Sequence, residues 1–196
     1  HLRTRRQRQM CIRDSFPSNS TIPAGQRQKI AITNAQDYAV FYNFGVEDIE
    51  IDDNVYYELI ESENENVSSI PMVEARDGTI PTTSDLDDEN GMLVLFHWDG
   101  QDSHISDCDY ITWGSSSAVR VDKTDIGDYE DETPVDDQTP IASSGHASGE
   151  SFIRVLFSES AEQKDEGNGF LFDHEETSED LNNSWKTATR NKSGLE

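Results

Sequence analysis

The sequence has few of the residues that support a redox, membrane or nucleic-acid role. It holds two cysteines in 196 residues. It also has only 15 Lys and Arg residues against 40 Asp and Glu residues, which gives a formal net charge of −25. So acidic a surface repels nucleic acids and anionic membranes. No apolar run approaches the roughly 20 residues that a membrane helix needs. We therefore expect neither nucleic-acid binding nor membrane insertion.

The first segment differs from the rest of the chain. Residues 1–14 read HLRTRRQRQMCIRD and carry five arginines, a composition typical of a nucleic-acid arm or a transit peptide. The run RRQRQMCIRD also resembles a sequencing adapter translated in frame, and we favour this second interpretation. We therefore treat residues 1–15 as an adapter-derived segment that is not native. On this hypothesis the natural chain is truncated at its start, and the truncation explains why no signal peptide is visible.

Cys108 is then the single native cysteine, so an internal disulfide is excluded. It lies between Asp107 and Asp109 in a predicted strand. Two neighbouring carboxylates raise the pKa of a thiol. We therefore predict that Cys108 is a small buried hydrophobic residue and not a nucleophile.

The clearest fold signal is the stretch 92–114. The apolar run 92–96 meets a polar turn at residues 99–103, and the stretch 107–113 then alternates and ends in a tryptophan. This pattern predicts two strands joined by a turn, with one face buried.

Further short strands are predicted at residues 29–32, 57–60 and 152–157. Three aromatic residues at helical spacing predict one short helix over residues 34–43. Residues 118–122 fit either a strand or a loop that crosses a sheet edge. Several short strands with at most one helix predict an all-β fold, for which a β-sandwich is favoured and a barrel is the alternative.

Composition also divides the chain. We predict a β-sandwich domain over residues 16–126 and a C-terminal extension over residues 127–196. The extension is irregular and rich in polar residues. A single strand at 152–157 and a polar tail over 158–196 are expected in it.

A series of turn and strand segments follows a recognisable order along the chain. The segments are Phe16-Pro17, Thr21-Ile22-Pro23-Ala24-Gly25, Phe44-Gly45, Tyr57-Glu58-Leu59, Gly91 before residues 93–96, Trp98-Asp99-Gly100 and residues 107–114. This order resembles the bacterial branch of the lamin tail domain family. Residues 121–124, 131–134, 149–155 and 173–185 are similar to a C-terminal extension that such bacterial proteins carry.

The resemblance implies an immunoglobulin-like β-sandwich. The family opens with a strand pair that precedes the Phe-Pro segment, and that pair is absent here, so the sandwich is expected to be incomplete at its N-terminus. The resemblance also implies an accessory or interaction role in larger secreted proteins. It carries over no catalytic residue, because the matching positions belong to turns and strands.

The sequence contains no convincing catalytic constellation. No Gly-x-Ser-x-Gly elbow occurs, and His97 and His104 bracket the hairpin turn without the spacing of zinc ligands. We therefore predict that the chain is not an enzyme and has no cofactor.

Two acidic groups are candidates for calcium, which requires six to eight oxygen ligands held in a loop. The first comprises Asp85, Asp87, Asp88 and Glu89. It departs from the EF-hand template because Gly91 is the seventh residue of the run instead of the sixth. The second group comprises Asp128, Glu130, Asp131 and Glu132. The alternative interpretation of both groups is a solvated acidic loop.

Aromatic residues on the predicted hairpin form a candidate binding surface. Tyr110 and Trp113 fall on opposite strand faces, so at least one of them is expected to be exposed, and Trp98 lies at the end of the first strand. Packing in the core or at a sheet edge is the favoured interpretation for these rings, and an exposed binding surface is the alternative.

Together these observations predict a non-enzymatic accessory or interaction module of an exported bacterial protein. Its location is expected to be extracellular or at the cell surface, and its partner is expected to be a protein or a glycan. Two other functions are compatible with the sequence. One is a fragment of a secreted hydrolase whose catalytic domain lies upstream, and the other is a calcium-stabilised adhesion module.

Overall fold

The structure is a computed structural model that describes part of the chain. The described residues are 14–25, 28–31, 56–58, 70–74, 86–99, 101, 104–123, 133–157, 162–164, 167, 169 and 175–189. Within these residues most of the regular structure is β-strand, with two 3₁₀ turns and a single short α-helix. The expected β-rich fold is therefore confirmed. No helix in the described ranges is long and apolar enough to cross a membrane.

The chain forms two compact units, of which the first comprises His1–Asp85 with Asn191–Glu196. In this unit one antiparallel pair and one three-stranded parallel sheet are formed. The strands are β1 (Asp14–Ser15), β2 (Lys29–Ala31), β3 (Tyr56–Glu58), β4 (Ile70–Pro71) and β5 (Val73–Glu74), with β1 paired to β5 and β3 between β2 and β4. Among the described residues of this unit, Tyr57 and Met72 form a buried cluster, and the ring of Phe16 meets Tyr57 edge to face at 5.0 Å.

The parallel pairing differs from the sheets of an immunoglobulin sandwich, which are antiparallel. Strand β2 confirms most of the predicted strand 29–32, and β3 begins one residue earlier than the predicted strand 57–60. Residues 70–74 contain β4 and β5, for which no strand was predicted. The predicted helix over 34–43 lies outside the described residues.

The second compact unit is Leu86–Arg190, and it contains the predicted hairpin. Strands β6 (Gly91–His97) and β7 (Ser106–Trp113) pair antiparallel. The register shifts between Leu95 and Phe96, because they pair with Asp109 and Asp107 and leave Cys108 as an extra residue. This β-bulge bends β7 and directs the side chain of Asp107 into the interior.

The C-terminal part of this unit departs from the predicted polar tail. Strand β8 (Glu150–Arg154) ends earlier than the expected strand 152–157, and it pairs antiparallel with a second strand, β9 (Trp185–Thr189). Helix α1 (Leu181–Ser184) leads directly into β9. The predicted tail region therefore contains a second strand, in addition to the single strand expected in the extension. Two apolar residues, Leu181 and Trp185, give this polar segment a face to bury.

The core of the second unit joins segments that are far apart in sequence. Its buried apolar residues are Tyr110, Val121, Ile141 and Leu181, with Met92, Val94, Ile111, Phe152 and Trp185 packed against them. The amide of Gln138 lies among them: it accepts from the hydroxyl of Tyr110 at 2.9 Å and donates to the carbonyl oxygen of Val121 at 2.6 Å. Residues 118–122 form no strand, because a 3₁₀ turn at Ser117–Val119 leads into a loop.

Candidate functional site

The predicted aromatic surface is not exposed. Tyr110 is 1% exposed and Trp113 is 5% exposed. The indole Nε1 of Trp113 donates to the carbonyl oxygen of Asp87 at 3.0 Å, and its ring packs on Phe152 at 6.0 Å. Tyr110 packs in the core, and Trp113 is enclosed by Phe152 and the acidic turn. Neither ring faces solvent, which agrees with the favoured packing interpretation and not with an exposed binding surface. Trp98 is half-buried.

The acidic turn before β6 has a fixed shape. One oxygen of the Asp87 carboxylate, Oδ1, accepts from the backbone N–H groups of Glu89 at 2.7 Å and Asn90 at 3.2 Å. Asn90 in turn accepts from the backbone N–H of Ser116 at 3.0 Å. These bonds hold the turn against the end of β7, and the side chains of Asp88 and Glu89 are left exposed.

The loop 141–146 packs against the same turn. The backbone N–H of Gly114 donates to Ala142 at 2.9 Å, and that of Ile141 donates to Thr112 at 2.8 Å. Gly145 lies so close to the acidic turn that a Cβ atom there would overlap the carbonyl oxygen of Asp88. Glycine is therefore required at this contact.

The acidic turn, the loop 141–146 and Ser115, which follows β7, surround a polar depression of about 390 Å³. It is lined by Asp88, Glu89, Asn90, Ser115, Ser143, Ser144, Gly145 and His146. The His146 ring meets Phe152 edge to face at 5.3 Å, and Phe152 packs on Trp113. The depression thus has exposed hydrogen-bonding groups in its lining, and one lining residue, His146, is held in place by its contact with Phe152.

The lining suits a ligand with many hydroxyl or amino groups. Carboxylates only accept hydrogen bonds, serine hydroxyls both donate and accept, and histidine does either. The backbone bonds described above hold the loops that carry these groups, so little backbone entropy is lost when a ligand binds.

The calcium hypothesis keeps the status of a prediction. Asp87 uses one carboxylate oxygen within its own turn. In the described part of the chain, no three His, Cys, Asp or Glu residues gather in a way that could hold a metal ion. Asp85 and the second acidic group, Asp128, Glu130, Asp131 and Glu132, lie outside the described residues.

Cys108 is half-buried instead of fully buried as predicted. The pKa of its thiol is raised to about 11, first by burial and then by the carboxylates of Glu176, Asp107 and Asp109, in that order of effect. The direction of the shift is confirmed, although burial contributes more than the two flanking acids.

We expect Cys108 to react slowly with iodoacetamide in the folded protein. A thiol pKa of about 11, against 9.0 for the unperturbed group, lowers the thiolate fraction at pH 8 by roughly 100-fold. The same shift makes stability depend on pH, because the unfolded thiol ionises first. The stability that the protonated Cys108 thiol contributes to the folded protein is complete below pH 9 and is lost as the pH rises towards 11.

Alkylation followed by peptide mass spectrometry measures this rate at residue 108, with the urea-unfolded chain as the reference. Equal rates in the folded and unfolded chains would contradict the buried environment of the thiol.

Sequence reasoning did not identify six of the lining residues, which are Asn90, Ser115, Ser143, Ser144, Gly145 and His146. They come from segments that are separated by more than twenty residues, and the close approach of Gly145 to Asp88 and the backbone bond between Gly114 and Ala142 bring them together.

Comparison with protein-family models, curated proteins and solved structures finds no match for this chain.

Proposed function

We propose that this chain is a non-enzymatic binding module of an exported bacterial protein, with a lamin-tail-like, immunoglobulin-like sandwich as its frame. The depression lined by Asp88, Ser143 and His146 is the observation that carries the proposal. It lies between loops at one end of the hairpin, and loops on a rigid scaffold are where binding residues concentrate. Its volume of about 390 Å³ falls in the size range of small-ligand sites.

The preferred ligand is a neutral or amino-bearing glycan. The lining of the depression is dominated by hydroxyl, amide and carboxylate groups, which suits sugar hydroxyls better than an apolar ligand. Asp88 and Glu89 favour a cationic amino group and oppose an anion. The formal net charge of −25 strengthens this discrimination at low ionic strength.

A protein partner is the second candidate, and a separate surface favours it. On β6, Leu93 and Leu95 are 45% and 48% exposed, whereas Met92 and Val94 on the other face are partly buried against the core. Exposed aliphatic side chains on a strand are one form of protein-binding surface.

Titration with soluble glycans tests the proposed function. We expect chitosan oligosaccharides or neutral glucan oligosaccharides to shift NMR signals of residues 143–146, whereas polygalacturonate oligosaccharides leave them unchanged. A Ser143→Trp variant fills the depression and is expected to weaken binding at least about tenfold, or ~1.4 kcal/mol. The matched control is Ser117→Trp, because Ser117 is exposed and does not line the depression.

These variants distinguish binding in the depression from binding at the exposed Leu93 and Leu95 side chains of β6. Equal binding by both tryptophan variants would exclude the depression as the glycan site. A chain that binds none of these oligosaccharides, but binds a protein partner in a way that Leu93→Asp abolishes, would instead favour the protein alternative.

A further inference from the structure

A buried ion pair joins Asp107 and Lys123 inside the unit Leu86–Arg190. Asp107 belongs to β7 and is 0% exposed, and Lys123 follows the 3₁₀ turn Ser117–Val119 and is 9% exposed. The Lys123 Nζ atom is in direct contact with Oδ2 of Asp107. Two charges so far from water carry a large desolvation penalty, which their mutual attraction often fails to recover.

Backbone interactions on both sides hold these two groups together. Asp107 pairs with Phe96 across the bulged hairpin and forms an isolated parallel bridge with Gly169. On the other side, Val121 is bonded to Gln138 through both its N–H and its carbonyl oxygen. Reactive groups held in contact in this way gain the large effective concentrations of intramolecular reactions.

The surroundings contain more buried acids than buried bases. Strand β7 packs against the 3₁₀ turn Glu176–Ser178, and Glu175, Glu176 and Glu179 are all buried. Glu176 is close enough to raise the pKa of Cys108, the residue next to Asp107. Glu176 therefore supplies a buried carboxyl group on the turn packed against β7, which can accept a proton and return it.

We propose that Lys123 and Asp107 are joined by an intramolecular isopeptide bond. The neutral Nζ amine attacks Cγ of the protonated Asp107 carboxyl group, so that an N–C bond forms. A C–O bond then breaks, and the hydroxyl leaves as water with a proton that originated on the amine. Glu176 is the buried acid that would relay this proton. The net change is acid plus amine to amide plus water, with no change of oxidation state and no cofactor.

The bond would stabilise this unit of the fold. It replaces two buried charges by one neutral amide, which removes their desolvation penalty. It also closes the chain between two residues that are 16 apart in sequence, and such closure reduces the conformational entropy of the unfolded state. The inference is independent of the proposed binding function, because it concerns the interior and not the depression.

Intact-mass spectrometry of the full chain, denatured after folding, tests the proposal. The expected mass is lower than the sequence mass by one water molecule, and protease digestion is expected to release a branched peptide that contains both Asp107 and Lys123. Hydroxylamine treatment is the chemical control, since it opens a succinimide formed at Asp77-Gly78 or Asp99-Gly100 and leaves an isopeptide bond intact. A chain that is folded by circular dichroism and has its unmodified mass would overturn the proposal.

Three variants sharpen the test. Lys123→Arg keeps the charge but is expected to abolish the mass loss, whereas Lys164→Arg, the matched control, is expected to retain it. Asp107→Asn is expected to lose ammonia instead of water, so that its cross-linked form has the same mass as the cross-linked wild-type chain. Glu176→Gln is expected to slow bond formation. A mass deficit that persists in Lys123→Arg would assign the lost water to another site and refute the bond.

Discussion

Replacing Gln138 with alanine is expected to lower the free energy of unfolding by about 4 kcal/mol. The Gln138 amide is 4% exposed and satisfies polar groups from three other residues. Besides its bonds to Tyr110 and to the carbonyl oxygen of Val121, it accepts from the Val121 N–H at 3.1 Å and donates to the carbonyl oxygen of Thr133 at 2.9 Å. Each buried group that loses its partner costs about 1–3 kcal/mol, partly offset where water enters the cavity.

Guanidinium unfolding followed by tryptophan fluorescence measures this effect, because all three tryptophans lie in the unit Leu86–Arg190. Gln163→Ala is the matched control: this side chain is exposed, so its change is expected to stay within about 0.5 kcal/mol. Tyr110→Phe removes one hydrogen bond of the network and is expected to cost about 1 kcal/mol. If Gln138→Ala were no more destabilising than Gln163→Ala, the buried amide network would be contradicted.

The hairpin could be predicted because its signals are local. An apolar run, a polar turn and an alternating stretch occupy one continuous segment, and β-pairing between adjacent strands needs no long-range information. The bulge at Cys108 could not be read from the same pattern. It depends on the pairing of Phe96 with Asp107, and the alternation of polar and apolar residues is similar with or without an extra residue.

The C-terminal segment was misinterpreted because its acidic residues are buried with partners. Carboxylates are normally expected in solvent, since an unpaired buried charge is costly. Here Glu175 accepts from both the N–H and the hydroxyl of Thr177, and Glu179 pairs with Arg154 at 3.2 Å. The partner Arg154 lies 25 residues earlier in the chain, so composition alone predicts a solvated tail where the structure has an interior one.

The depression could not be predicted from local sequence patterns either. Asp88 and Glu89 were singled out for their charge, but the serines and His146 that face them arrive through the close approach of Gly145 to the carbonyl of Asp88. A glycine that is required for backbone contact looks, in a single sequence, the same as a glycine in a mobile loop. The burial of the aromatic residues could not be derived from the sequence for a different reason. The sequence located Tyr110 and Trp113 on a strand correctly, but the layers that cover both faces of that strand come from distant segments.

Leu181→Ala provides the second large effect and tests the burial of the C-terminal segment directly. Leu181 has no exposed surface and belongs to the core with Tyr110 and Val121, so its truncation removes apolar contacts and leaves a cavity. The expected loss is about 3 kcal/mol in the free energy of unfolding. Leu95→Ala is the control, because Leu95 is 48% exposed and its truncation is expected to cost less than about 1 kcal/mol.

The comparison distinguishes a packed segment from a solvated one. Truncating a leucine in a solvated tail changes stability by a few tenths of a kcal/mol at most, so similar values for the two variants would mean that residues 181–189 do not pack in solution. A large loss at Leu181 with a small one at Leu95 would instead establish that β9 belongs to the cooperative unit. In that case hydrogen exchange at the β8–β9 amides is expected to report the same opening free energy as those of β6 and β7, since all four strands then open only when the whole unit unfolds.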